Sequence, residues 1–204
     1  MSRVEAVVFD IGNVLLGWQP QAFYDQLIGP ERRSVLFAEV DLHGMNLRID
    51  RGAPFRATIM AMRDAHPDWA VEIEIWHDRW IEMLAPVISE NVALLRSLRA
   101  NGISVFALSN FGAETFEMAR GHYKFLDEFE HRFISGQLGV LKPEPAIYEI
   151  VETTTGIEPS ALFFIDDNAD NIAMASSRGW QTHHFLDPQQ LRTNMRTLGL
   201  KVPE

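Results

Sequence analysis

Four stretches of this 204-residue chain put polar, chemically able side chains where an apolar run stops or a helix is about to start. Asp10 ends the run Ala6-Val7-Val8-Phe9. Ser109-Asn110 follow Ile103 to Leu108, Asp166-Asp167-Asn168 follow Ala161 to Ile165, and Lys142 precedes Pro143 ahead of a helical segment. Taken singly, each has an ordinary explanation. Asp, Asn and Ser form turns and cap helices, so Asp10 is either a turn residue or a working group, and Asp166-Asp167-Asn168 could simply cap the helix carrying Ile172. Lys142 is less ordinary, because the chain has three lysines against fifteen arginines. Together they are three carboxylates, a hydroxyl, two amides and an ammonium group, a set able to bind and attack a polar or anionic molecule if the fold gathers them.

The apolar runs before these residues are short and rich in β-branched and aromatic side chains, as suits strands buried on both faces of a parallel sheet. From Ser89 onward they alternate with helical segments. Ser89 is expected as an N-cap, with Val92, Leu95 and Leu98 facing inward, and further strands are expected at 131–135 and 181–184. Strand–helix alternation predicts an α/β core with a Rossmann-like parallel sheet. In such sheets all strand ends of one sense share an edge, and ligands bind there. Between Trp18 and Ser89 the period is helical, with no convincing strand. The expected organisation is therefore an α/β core from 1–17 and 89–204, split after its first strand by a helical cap over 18–88. The stripe Trp69, Ile73, Trp76, Trp80 and Leu84 reads as bundle core. Arg48, Arg51 and His43 either face the substrate from the cap or lie in solvent, while His77, His183 and His184 read as surface or packing residues.

Composition narrows the function. The net charge of −10 argues against nucleic acid, whose binding rests on basic surface, and an anionic substrate would need local positive charge. The absence of cysteine removes disulfides, thiolate catalysis and thiolate metal sites. No apolar run approaches the roughly 20 residues that span a bilayer, and no leader is expected ahead of the first strand. A cytoplasmic protein with no membrane partner is expected. Oligomeric state, monomer or homodimer, is left open.

The order and spacing of Asp10, Ser109, Lys142 and Asp166-Asp167 resemble the haloacid dehalogenase (HAD) superfamily of hydrolases over the whole chain. Phe9 to Leu15, Leu108 to Asn110, Leu141 to Tyr148 and Phe163 to Ile172 look like the small-cap branch containing α-glucose-1-phosphate phosphatases. The resemblance implies the HAD fold and a phosphoric monoester hydrolase acting on a small phosphorylated metabolite, a sugar phosphate among the candidates. Asp10 would be the nucleophile, forming an aspartyl-phosphate. Ser109, the Asn110 backbone N–H and Lys142 would hold the phosphate, and Arg48 and Arg51 would be substrate contacts. Mg²⁺ would be bound by Asp10, the Gly12 carbonyl and Asp167, with Asp166 in support and Asn171 hydrogen-bonded to the acid pair. One position departs from the pattern: Gly12 stands where most family phosphatases carry a second aspartate as general acid–base. That leaves a phosphatase with a good leaving group or another proton source, or a metal-independent 2-haloacid dehalogenase using the same nucleophile. A catalytically weak phosphate-binding protein is the third reading. A phosphonatase is excluded, since no lysine precedes Lys124.

Overall fold

The computed structural model describes residues 3–203. At its centre is β1 (Ala6–Phe9), all four residues of which are fully buried. β2 (Leu16–Trp18) comes next. The helices α1 (Pro20–Ile28), α2 (Pro30–Glu39), α3 (Leu42–Asp50), α4 (Phe55–Ala65) and α5 (Ala70–Asp78) follow, and β3 (Leu84–Val87) returns the chain. The remainder alternates through α6 (Ser89–Ala100), β4 (Ser104–Ser109), α7 (Ala113–His122), β5 (His131–Ile134), α8 (Ser135–Leu138) and α9 (Pro145–Thr155). It closes with β6 (Leu162–Asp166), α10 (Ala169–Ser177), β7 (Gln181–His184) and α11 (Pro188–Thr197).

Five strands form a parallel sheet in the order β5-β4-β1-β6-β7. Val8 sits between Phe106 of β4 and Phe164 of β6. Because side chains alternate along a strand, the sheet divides its apolar residues between two layers. Val7, Phe9, Val105, Phe163 and Ile165 pack with Leu95 and Leu98 of α6 and Leu191 and Met195 of α11. Ala6, Val8, Phe106, Leu108 and Phe164 pack with Ile147, Tyr148 and Val151 of α9 and Ala175 of α10. Each such Leu, Val or Phe contributes about 1.5–3 kcal/mol by leaving water, which is what keeps a five-stranded sheet closed on both faces. Strand order runs outward in both directions from β1, so the crevice beyond its carboxyl end lies between β4 and β6, where ligands enter such sheets.

Tyr24, Leu36, Met45, Ile49, Ile59, Ile73 and Trp76 fill the interior of the inserted helices and join the first of these layers without a break. The stripe from Trp69 to Leu84 is buried, as expected of bundle core, although α5 ends at Asp78 and Trp80 lies in a 3₁₀ turn beyond it.

Two expectations need correcting. The insertion is bounded by a strand pair, with β2 antiparallel to β3 and Leu16 opposite Val87, where no strand was expected. Elements this short show no period of two, and Pro86 inside β3 reads as a breaker. Gly17 permits this neck, since a Cβ there would lie 2.6 Å from the Ala85 carbonyl oxygen. Ser89 is the first residue of α6 rather than its cap; Ile88 holds the cap position without a side-chain bond.

Candidate active site

β1, β4 and β6 end along one edge, and their terminal side chains meet there. Asp10 follows β1 directly, its N–H bonded to the Ile165 carbonyl at 2.9 Å. Its Oδ1 accepts from the Ile11 N–H at 2.7 Å and the Ser109 hydroxyl at 2.7 Å, and lies 3.0 Å from Lys142 Nζ. With all three donors on Oδ1, Oδ2 is the oxygen left to attack or to bind a cation. Lys142 also donates to Asp166 Oδ2 at 2.5 Å. The backbone of the lysine is clamped by Asn110, whose Oδ1 accepts from the Lys142 N–H at 2.7 Å and whose Nδ2 donates to the Lys142 carbonyl at 2.9 Å. The Asn110 side chain thus positions the lysine loop.

The acid pair divides its work. Asp166 is fully buried and accepts from the Asn168 N–H at 2.8 Å and, through both oxygens, from Asn171 Nδ2 at 3.0 Å. Asp167 is half-buried and accepts from Asn13 Nδ2 at 2.9 Å. Asn168 caps α10 by accepting from the Asp170 and Asn171 N–H groups, so capping and site roles coexist in one triplet. Asn171 reaches Asp166 as expected.

Electrostatics follow from burial and neighbours. Burial pushes Asp10 up to about 7, with Lys142 opposing and Asp166 adding to the rise. Burial alone would push Lys142 down, but the adjacent Asp10 and Asp166 more than offset it and hold the ammonium above its usual range. Three carboxylates around one ammonium leave the cluster net negative. Asp10, Asp166 and Asp167 each offer an oxygen, and these atoms lie within 4.8 Å of one another. An all-oxygen donor set carrying uncompensated negative charge fits a hard divalent cation such as Mg²⁺.

Above this cluster is a cleft of about 370 Å³, lined from the core by Asp10, Gly12, Ser109, Asn110, Lys142 and Asp167. From the cap it receives His43, Asn46, Leu47 and Asp50, with Trp18, Trp80 and Leu84 at the neck. The four α3 residues fall at i, i+3, i+4 and i+7, one face of a helix. Arg48 and Arg51, expected as substrate contacts, are not among the residues that line this cleft. Arg48 borders a separate hollow with Ala57, Thr58 and Met62, and Arg51 pairs with Glu144 at 2.5 Å. A larger hollow of about 520 Å³ lies beside Trp18 and His43 toward Pro20 and Trp76, but it holds none of the strand-end groups.

Besides Asn46 and Leu47 of the cap face, sequence reasoning passed over two more residues of the site, both polar. Asn13 adopts a left-handed backbone (φ 54°), holds Asp167 with its Nδ2, and accepts the Trp18 N–H on its Oδ1 at 2.9 Å. Its signal was an asparagine in a turn after a strand, the non-glycine residue that best tolerates that conformation. Asp50 is the other, and nothing in the helical period distinguished it.

The family profile of haloacid dehalogenase-like hydrolases matches residues 4–179. An (S)-2-haloacid dehalogenase of Pseudomonas sp. is 31% identical over 99 residues, covering 48% of this chain and 42% of that protein. A sesquiterpene phosphatase of Aspergillus oryzae is 30% identical over 107 residues, covering 52% of this chain and 54% of its own length. The chain spans about half the length of these curated relatives. In three dimensions it is similar to a HAD family enzyme of Bacteroides thetaiotaomicron solved with magnesium and inorganic phosphate. The TM-score is 0.72 at 25% identity, with 92% of this chain and 98% of that one covered.

Proposed function

The chain belongs to the haloacid dehalogenase-like hydrolases, and from that premise we propose that it is a Mg²⁺-dependent phosphatase of small phosphorylated metabolites, sugar phosphates among them, working in the cytoplasm. The observation that carries this reading is the acid cluster: Asp10, Asp166 and Asp167 offer oxygens within 4.8 Å of one another around a single lysine. Displacing halide from a haloacid needs a nucleophilic carboxylate and a base for hydrolysing the resulting ester, and gives a cation-binding group of three carboxylates no task. The magnesium and phosphate in the Bacteroides structure support the same choice.

In this reading Asp10 Oδ2 attacks phosphorus while Oδ1 stays fixed by Ser109 and the Ile11 N–H, so the nucleophile is oriented before substrate arrives. Lys142 lies between Asp10 and Asp166, where it neutralises charge on the transferring phosphoryl group, and the Asn110 backbone N–H helps hold that group's oxygens while the Ser109 hydroxyl stays on Asp10. Asp10, the Gly12 carbonyl and Asp167 would hold Mg²⁺, with Asp166 in support. The cation supplies the charge neutralisation that lets an anionic carboxylate approach an anionic phosphate. Water then opens the aspartyl-phosphate and restores Asp10.

Dehalogenation is the second reading, favoured by Gly12 and by the similarity to the Pseudomonas enzyme. A panel of phosphorylated metabolites with Mg²⁺, run beside 2-chloropropionate in EDTA, separates the two. Phosphate release that stops in EDTA supports the phosphatase, and halide release undiminished by EDTA overturns it.

A further inference from the structure

Gly12 removes the side chain that would otherwise exchange protons with the leaving group, and nothing fills the gap: a Cβ built there meets no atom within 4 Å. For a leaving group that needs protonation, the donor then has to come from elsewhere in the cleft. Its titratable residues are Asp10, Asp167, Lys142, His43 and Asp50. The first three belong to the nucleophile, cation and phosphate positions. His43 is exposed, two turns of α3 away from Asp50. Asp50 is buried and belongs to no part of the machinery described so far.

Its position is unusually well determined for a cap residue. Asn46 Nδ2 donates to Asp50 Oδ2 at 2.8 Å, and the Gly112 N–H reaches the same carboxyl from the loop after β4. The Asp50 carbonyl accepts from the Ser135 hydroxyl at 2.6 Å, and the next residue, Arg51, is ion-paired to Glu144. The last turn of α3 is therefore tied to the core at three segments: the loop after β4, the start of α8 and the loop before α9. A carboxylate in the last turn of a helix also faces the negative end of the helix dipole, which favours its protonated form.

We propose that Asp50 is the general acid–base of this site, the role for which Gly12 has no side chain; the inference rests on the phosphatase reading above. In the first step Asp10 Oδ2 bonds to phosphorus, the bond from phosphorus to the ester oxygen breaks, and that oxygen takes the Asp50 proton to leave as an alcohol. In the second, the Asp50 carboxylate takes a proton from water as the water oxygen bonds to phosphorus. The bond from phosphorus to Asp10 breaks, and inorganic phosphate leaves. Burial, with the charge of Asp10 adding to it, pushes the Asp50 carboxyl up to about 7, where it can serve in both directions near neutral pH.

The test compares p-nitrophenyl phosphate, whose leaving group needs little protonation, with phenyl phosphate, whose leaving group needs more, in saturating Mg²⁺. In Asp50→Asn, kcat/KM for phenyl phosphate should fall by about 10²–10³-fold, and that for p-nitrophenyl phosphate by less than about 10-fold. The variant should also release one equivalent of nitrophenol in a burst, because opening of the aspartyl-phosphate has lost its base. Adding Gly12→Asp to Asp50→Asn should restore phenyl phosphate turnover, which a residue needed only for packing would not allow. Equal loss on both esters, or none on either, overturns the assignment of Asp50 while leaving the phosphatase intact. If the wild type cleaves neither ester but releases halide from 2-chloropropionate, the phosphatase reading fails, and the role of Asp50 with it.

Discussion

Replacing Asp50 with asparagine should make the metal-free protein more stable at pH 8 and slightly less stable near pH 4. Burial, with Asp10 adding and the Gly112 N–H opposing, lifts this carboxyl from 3.8 to about 7. Between those two values the folded chain binds a proton that the unfolded chain does not, so wild-type stability falls as pH rises across the window. At about 1.36 kcal/mol per unit, the fall approaches a ceiling of about 4 kcal/mol by pH 8. Asparagine cannot ionise and escapes it. Its amide has one acceptor oxygen where the carboxyl takes hydrogen bonds from both Asn46 and Gly112, a loss of about 1 kcal/mol that does not vary with pH. The variant should therefore gain about 2–3 kcal/mol at pH 8, or about 4–12 °C in Tm for a chain of this length. The gap should close by about 1.4 kcal/mol per pH unit on going down from pH 7. Asp10 is present in both proteins, and its repulsion of an ionised Asp50 is part of the fall that asparagine escapes. Urea denaturation in EDTA at one-unit steps from pH 4 to pH 8 measures the gap. A gap that is constant with pH, or that widens toward acid, would refute the view that Asp50 is held protonated by its surroundings.

Asp10→Asn should abolish phosphate release while leaving the circular dichroism unchanged, and any surviving turnover removes Asp10 as nucleophile. Lys142→Met strips the only ammonium from between Asp10 and Asp166 in a site where the lysine side chain is 1% exposed. Breaking a buried pair in this way should cost about 3–5 kcal/mol in urea denaturation as well as all turnover, and a loss below about 1 kcal/mol would refute the buried ion cluster. Mg²⁺ at 100 times its Kd should stabilise the wild type by about 2.7 kcal/mol in a thermal melt, and Asp167→Asn should lose most of that gain. A wild-type melt indifferent to Mg²⁺ would count against the metal site.

The core and the cluster at its edge were legible in the chain because both depend on short-range pattern. A fully buried strand has to be an unbroken apolar run, and a parallel sheet puts every such run's carboxyl end on one edge. Asp10, Ser109 and Asp166 could thus be associated across more than 150 residues without knowing any contact. The cap face was not legible. Along α3, Arg48 and Asp50 are two residues apart, and charge alone made the arginine the better candidate. Which of the two enters the cleft depends on the rotation of α3 about its axis, and that rotation is set by Met45 and Ile49 seating in a core shared with the sheet. β2 and β3 escaped notice because three or four residues, one of them proline, show no period. Gly12 marked a missing proton donor only through the chain's resemblance to the family's phosphatases. Only the packing of the cap against the core, which buries a carboxyl at the end of α3 and ties it to Asn46 and Gly112, supplied a residue able to take its place.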